Sequence, residues 1–443
     1  MADIIPFKGL RYNDEIVGDI SNVVTPPYDV ISPEEQDNYY NVSEYNCIRL
    51  ELSKAMPGDD DTNNKYTRAA QTLRDWIDSR VLVAEEEPCI YIYQQEFSLS
   101  DTEHYTRTGF IALVRLEEFS KGIILPHENT LSKPKEDRLN LMRACGANFS
   151  QVFALYDDEN KDISKILKQF CSNNDPVISI EKGIAGSPER VWAISDADII
   201  NEIRNIMADK KLFIADGHHR YETALAYRDE LREKNPNHTG NELYNYVMMM
   251  LVDIDDPGLV VLPTHRLVSN VDDFDEEVFL QKASVNFDIE KYEAGDLSFD
   301  ELCKKIESIL EDGGLHTFVY YGSEKDAVYR LRLKDPSVME KFHPDRHESY
   351  RDLDVSILHT LLLENILGIG DKQLANQENL TYTHSIDEGV KEVQEGRQQM
   401  AFFMLPTTVK QIQAVSYAGE KMPQKSTYFY PKLLTGLVFN KFV

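Results

Sequence analysis

Residues 215–224, Ala-Asp-Gly-His-His-Arg-Tyr-Glu-Thr-Ala, hold the densest concentration of reactive side chains in the chain. The apolar run Lys211–Ala215 predicts a short buried strand. Asp216 and Gly217 predict the turn after it, and His218, His219 and Arg220 the first turn of a helix reaching about Lys234. A helix N-terminus offers unpaired backbone N–H groups and the positive end of the dipole. Glycine lets a ligand approach the backbone, and arginine adds a fork of donors for phosphate or carboxylate. Two adjacent histidines donate hydrogen bonds or move a proton near neutral pH. A cap alone would account for Asp216 but not for the Gly-His-His-Arg run. Neighbouring helix residues point ~100° apart, so the histidine pair is poorly arranged to share one metal ion.

A second polar stretch, residues 122–153, places His127, Glu128, Thr130, Lys133, Lys135, Asp137 and Arg138 between a strand and a helix. The net charge is −29, and against it the cluster Lys133, Lys135 and Arg138 is a local exception that suits an anionic ligand. Glu128 beside His127 is a candidate general base; a solvated loop before a capped helix is the plainer alternative. Three further segments are weaker. Pro26 and Pro27 stiffen the loop around Asp29, and Ser32 opens a helix. His265 and Arg266 follow a strand and could join an anion pocket. Lys425–Lys432 (KSTYFYPK) gathers cations, hydroxyls and aromatics, and either closes a pocket over a phosphate, with Lys425 as the contact, or forms an edge strand. P-loop, dinucleotide-binding, nucleophile-elbow and H-E-x-x-H patterns are absent, so no flavin, NAD or haem signal is present.

The elements that must position these residues alternate between strands and helices. Tyr66–Arg80 reads as a helix with Trp76 and Ile77 inward. Residues 89–97 and 106–119 read as paired strands, and Phe149–Asp157, Glu189–Ile194 and 246–254 as further strands. Residues 269–347 turn strongly acidic and read helix (274–284), strand (285–292), helix (298–311), strand (315–321), strand (327–333). Then come an amphipathic helix over Leu353–Leu367, a strand over Gln399–Leu405 and a helix over Val409–Ala418. The fold class expected is mixed α/β. Its expected domains are a main domain at 1–268, an acidic inserted α+β subdomain at 269–347, and a segment at 348–443 packing back on the main domain.

With 443 residues and 42% hydrophobic side chains the chain is globular and too long for one core. Its acidity argues against a nucleic-acid partner. No run approaches the ~18 apolar residues of a membrane span, and the opening residues lack a signal-peptide pattern. Five scattered cysteines without a C-x-x-C pair read as reduced thiols of a cytoplasmic protein.

Taken in order, residues 26–30, 127–138, 215–224, 262–266 and 425–432 resemble, over essentially the whole chain, a widespread prokaryotic family known only as a domain of unknown function. Strand, D-G-H-H-R and helix are also similar to the phosphate-binding motif of the ParB/sulfiredoxin-like superfamily, which includes the ADP-dependent free-serine kinases. That resemblance implies a ParB/sulfiredoxin-like nucleotide-binding core, with Gly217, His218, His219 and Arg220 on nucleotide phosphates. It also implies a glutamate that activates a serine hydroxyl. Glu128 takes that role here on chemical grounds only.

The function expected is a small-molecule phosphotransferase or phosphatase acting on a phosphorylated metabolite or a hydroxy amino acid of the serine/phosphoserine type. His218, His219, His127 and Glu128 would be catalytic. Asp216, Gly217, Arg220, Lys133, Lys135, Arg138, His265, Arg266 and Lys425 would surround the phosphate. Mg²⁺ with ADP or ATP is the expected cofactor, and a homodimer is compatible with the sequence. The alternatives are a non-catalytic nucleotide sensor and a metal-dependent hydrolase using His127, His218 and His219.

Overall fold

The long apolar strands assemble two separate sheets. The computed structural model describes residues 1–130, 132–322, 324–370 and 379–442, with Ser132 and Lys133 described by backbone alone. These residues divide into two compact units. The first comprises 1–126, 130–260 and 431–443; the second comprises 127–129 and 261–430. The architecture is mixed α/β.

The first unit is built on a nine-stranded mixed sheet. Its strands are β1 (Ile4–Ile5), β2 (Ile90–Ser98), β3 (His104–Arg115), β4 (Ile124–Leu125), β5 (Val152–Tyr156), β6 (Ile178–Ile180), β7 (Glu189–Ile194), β8 (Leu212–Asp216) and β9 (Tyr246–Asp253). The order across the sheet is β4-β8-β5-β9-β3-β2-β7-β6, with β1 paired to β3. β8 runs parallel to β4 and antiparallel to β5, while β9 runs parallel to β5. Both faces of β5 and β9 are buried, which is why these strands read as continuous apolar runs. Helices α1 (Lys65–Asp78), α2 (Ser132–Cys145), α3 (Asp162–Asn173), α4 (Ala197–Met207) and α5 (His218–Lys234) belong to this unit. Ile163, Leu167, Ile200 and Ile203 from α3 and α4, and Tyr221, Ala224 and Leu225 from α5, pack with the sheet residues Phe110, Val152 and Leu251 in one core. Trp76 of α1 packs in a second core with Phe149 and Phe439.

The second unit carries a six-stranded antiparallel sheet in the order β11-β13-β12-β15-β10-β14. The strands are β10 (His265–Val268), β11 (Phe287–Glu293), β12 (Thr317–Gly322), β13 (Ala327–Leu333), β14 (Leu380–Thr383) and β15 (Met400–Met404). Helices α6 (Glu276–Ala283) and α7 (Phe299–Gly313) match the alternation read within 269–347. A capping box of Ser298 and Glu301 starts α7, and its Ile306, Ile309 and Leu310 pack with Val319 and Phe403. β10, β14 and β15 come from outside 269–347, so the acidic stretch shares its sheet with residues on both sides of it.

One element differs from its sequence reading. Residues 353–367 do not form an amphipathic α-helix. A single turn, α8 (Asp354–Ile357), passes into a π-helical segment over Leu358–Glu364. The amides of Asn365 and Leu367 reach back five residues, to Thr360 and Leu362. Residues 354–363 are all buried, so no solvent-facing side exists to set a helical stripe.

Gly109 in β3 lies where a Cβ would stand 2.4 Å from the carbonyl oxygen of Leu251 in β9. Backbone cannot yield as a side chain can. Gly109→Ala should therefore cost about 1–3 kcal/mol of stability, read as a lower urea midpoint with unchanged m-value. An unchanged midpoint would show that the two strands are not held this closely.

Candidate functional site

The strand-to-helix corner expected at 215–220 is formed by three local features. The register of β8 against β5 shifts between Ile214 and Asp216, a bulge that takes Asp216 out of the strand's alternation. Gly217 then turns the chain at φ 88°, a conformation glycine adopts without strain. A Cβ at 217 would lie 2.9 Å from Nε and Nη2 of Arg220, so the guanidinium folds over a position with no side chain. α5 begins at His218, and its N-cap residue, Gly217, supplies no side-chain cap.

Asp216 organises this corner. Its Oδ1 accepts from the Gly217 amide at 2.9 Å. Its Oδ2 lies 3.7 Å from Arg220 Nη2 and 3.4 Å from Lys432 Nζ. Burial alone would raise its pKa, but Lys432, Arg220 and His218 overcome this and hold the carboxyl well below its usual range. Arg220 also donates from Nη1 to the Gln151 carbonyl at 2.6 Å. His218 is buried and His219 half-buried.

Lys432 arrives on a strap made by the last residues of the chain. Buried Arg107 donates to the Pro431 carbonyl at 2.6 Å, and Gln95 Nε2 to the Lys432 carbonyl at 3.0 Å. Gln95 Nε2 also donates to Glu189, which accepts the Tyr93 hydroxyl; the Leu434 amide donates to that same hydroxyl at 3.2 Å. Gln151 Nε2 donates to the Leu434 carbonyl at 3.1 Å, so Gln151 serves the strap and Arg220 together.

Thr130 and Lys135 do meet α5, but Lys135 and Arg138 are engaged by carboxylates of the protein. Lys135 Nζ pairs with Glu222 at 2.8 Å, and Thr130 donates to the same carboxylate at 2.7 Å. Arg138 is buried, not solvent-facing. It pairs with Asp137 at 2.6 Å and Glu51 at 3.4 Å, donates to the Glu51 carbonyl at 2.7 Å, and lies over the Tyr28 ring at 4.1 Å. Its charge is thus met inside the protein. The adjoining cavity, lined by Glu51, Arg138, Ser150 and Arg220, measures about 30 Å³, room for one or two waters rather than a metabolite. The side chain of Lys133 lies outside the described residues.

His127, Glu128, His265, Arg266 and Lys425 belong to the second unit. There His127 Nε2 lies 3.0 Å from the Thr427 hydroxyl and its carbonyl accepts from the Met422 amide at 2.8 Å. Glu128 Oε1 accepts from the Lys425 backbone amide at 2.7 Å. His265 and Arg266 lie buried on β10, and His265 is held neutral, its pKa pushed down to about 3 by burial and by Arg266. His218 and His219 therefore share a unit with each other and not with His127. Among the described residues no group of three His, Cys, Asp or Glu side chains could hold a metal ion.

Sequence reasoning passed over Lys432 in favour of Lys425, and missed Gln151, Arg107, Tyr28 and Glu51. Lys432 and Tyr28 stood inside the segments that were singled out. Gln151 stood at the end of the stretch 122–153 without being named, and nothing in the sequence marked Arg107 or Glu51. No helix among the described residues is long and apolar enough to cross a membrane.

The chain belongs to the family described as "Protein of unknown function (DUF1015)", whose model matches residues 4–356. No curated protein matches it. Among solved structures it is similar to a conserved hypothetical protein from Pyrococcus furiosus, at 12% identity over 73% of this chain and 92% of that one, with a TM-score of 0.35. It is similar also to a free serine kinase in complex with AMP, at 11% identity over 72% and 86%, TM-score 0.35. A third is SbnI with a C-terminal truncation from Staphylococcus aureus, at 10% identity over 73% and 85%, TM-score 0.32.

The Asp137 carboxylate ties α1 to α2 through Lys65 and Tyr66. Burial would raise its pKa, but Arg138, Lys65 and Tyr66 hold it at about 2. A carboxyl depressed from an unfolded value of ~3.9 stabilises the fold above that pH and loses the contribution as pH falls towards 2. Asp137→Asn should therefore be clearly less stable than wild type at neutral pH. The gap should close between about pH 4 and pH 2, followed by urea unfolding at each pH. A gap constant with pH would show that the charge plays no part.

Proposed function

We propose that the first unit binds the phosphate of a small metabolite at the N-terminus of α5, and that the protein is a phosphotransferase or phosphohydrolase. The observation that carries this reading is the pair of cations, Arg220 and Lys432, gathered on one carboxylate at the start of a 17-residue helix whose N-cap residue, Gly217, supplies no side-chain cap. Two cations on one anion leave a local positive balance in a chain of net charge −29, and the helix dipole adds to it. An arriving phosphate would take donors from the first amides of α5, from Arg220 and from Lys432, with Asp216 as the positioning residue that holds both cations. His219, half-buried beside the corner, is the proposed general acid for a leaving oxygen, with buried His218 supporting the electrostatics.

The described residues do not form a resident metal site, so no step is assigned to one. Mg²⁺ would arrive as part of a nucleotide substrate, ADP or ATP. Serine and phosphoserine are the first acceptor and product to test.

The test is calorimetric titration with ADP, ATP, pyrophosphate and phosphoserine, with and without Mg²⁺, followed by a turnover assay for released or transferred phosphate. Arg220→Ala and Lys432→Ala should each weaken phosphate-ligand binding ~10–100-fold, the loss of one charge-assisted contact. Turnover that falls in His219→Ala with little change in binding supports catalysis. Binding without turnover by wild type would make the protein a nucleotide sensor instead. Unchanged binding in both cation variants would contradict the site.

A further inference from the structure

The second unit contains a cavity of about 480 Å³, walled in part by the π-helical segment Leu358–Glu364. π-helical turns are rare and are frequently found at functional sites. Here the segment brings His359 and Thr360 to the cavity wall, where His343 Nε2 lies 2.8 Å from the Thr360 hydroxyl. Arg346 and Lys421 face the same cavity.

Behind His359 lies an unusual charge. Arg266 is buried on β10, at 1% exposure. Its guanidinium donates to the carbonyls of Thr264 and Lys425, to Met404 Sδ and to His359 Nε2 at 3.2 Å, and it lies over the ring of Tyr382. All of these partners are neutral. The carboxylate that acts on it is Glu128, through electrostatic attraction rather than a direct hydrogen bond. A buried cation is costly without an anion to meet it. Because His359 Nε2 accepts from Arg266, the ring proton must sit on Nδ1, and burial with the neighbouring cation holds the ring neutral. Arg266 thus fixes His359 as a donor at the cavity wall and lends its own field to whatever His359 meets.

Charges of the opposite sign are also present. Glu420 pairs with Arg346 at 2.8 Å, leaving that guanidinium only partly available, and Glu364 sits at the exposed rim. Arg346 is further held by the Lys421 carbonyl at 3.1 Å. The inner wall is therefore the electropositive side, with Arg266 behind His359 and Thr360, and Lys421 beside them.

We infer that this cavity of the second unit is a ligand site of its own, which takes a compact metabolite bearing an oxyanion, a carboxylate or a phosphate. The oxyanion accepts from His359 Nδ1–H, the Thr360 hydroxyl and Lys421, with Arg266 supplying the counter-charge through the His359 ring. This site is built without any residue of the first unit and does not depend on the reading of that unit.

The experiment is calorimetric titration of the full chain carrying Arg220→Ala and Lys432→Ala together, the two variants that weaken the proposed first-unit site. The probes are inorganic phosphate, pyrophosphate and succinate, with glycerol as the uncharged control. Saturable binding of at least one anion, and none of glycerol, is expected; which anion binds separates the phosphate from the carboxylate case. Adding Lys421→Gln should weaken that binding ~10-fold or more. Thr360→Val should weaken it as well, by removing a donor while keeping the volume. Lys421 is half-exposed, so its replacement leaves a folded chain even if Thr360→Val does not. Absence of saturable binding by all three anions, or binding unchanged by Lys421→Gln, would overturn the proposal.

Discussion

One carboxylate, Asp216, holds the corner on which the first unit's chemistry rests. It stands at the end of a strand and joins the turn at Gly217 and the first turn of α5, through Arg220, to the distant C-terminal strap, through Lys432. None of these contacts is strong alone in a partly exposed site. Their convergence matters because each cation is fixed from behind by a backbone anchor. Gln151 holds Arg220, while Gln95 and Arg107 hold the carbonyls at the base of Lys432. Preorganisation of this kind lets donors meet an anion without a reorganisation cost.

The same logic separates cations that face a ligand from cations that build the fold. In a strongly acidic chain many basic side chains find a carboxylate. Lys135 has Glu222, and Arg138 has Glu51 and Asp137. Such pairs hold α2 against α5 and against Glu51, and removing Glu51 would strand the buried charge of Arg138. Arg266 departs from this pattern, with neutral partners throughout. That contrast, rather than the number of basic residues, marks where an anion is wanted.

Much of the architecture was legible in the sequence. β7 falls on the residues read for it, and the elements within 269–347 lie within a few residues of their expected bounds, since both kinds of element follow apolar periodicity. The strand–Asp-Gly–helix corner was legible because strand, glycine and helix opening are all local features. The partners of that corner were not, because they are set by the pairing of distant strands. Of the two lysines in 425–432, only the sheet's grip on residues 431–434 selects Lys432. The polar run 127–138 looked like one site, yet its first residues follow the second unit and the rest follow α2. The π-helical segment was read as an ordinary amphipathic helix because its spacing is nearly helical, while its enclosure on all sides is a tertiary fact.

The central claim is that the start of α5 is an oxyanion site, and a crystal structure of the protein grown with pyrophosphate tests it most directly. The account predicts a phosphate group within hydrogen-bond distance of the first amides of α5 and in contact with Arg220 and Lys432, both still tethered by Asp216. Pyrophosphate bound only elsewhere, with the two cations closed on Asp216 alone, would contradict it.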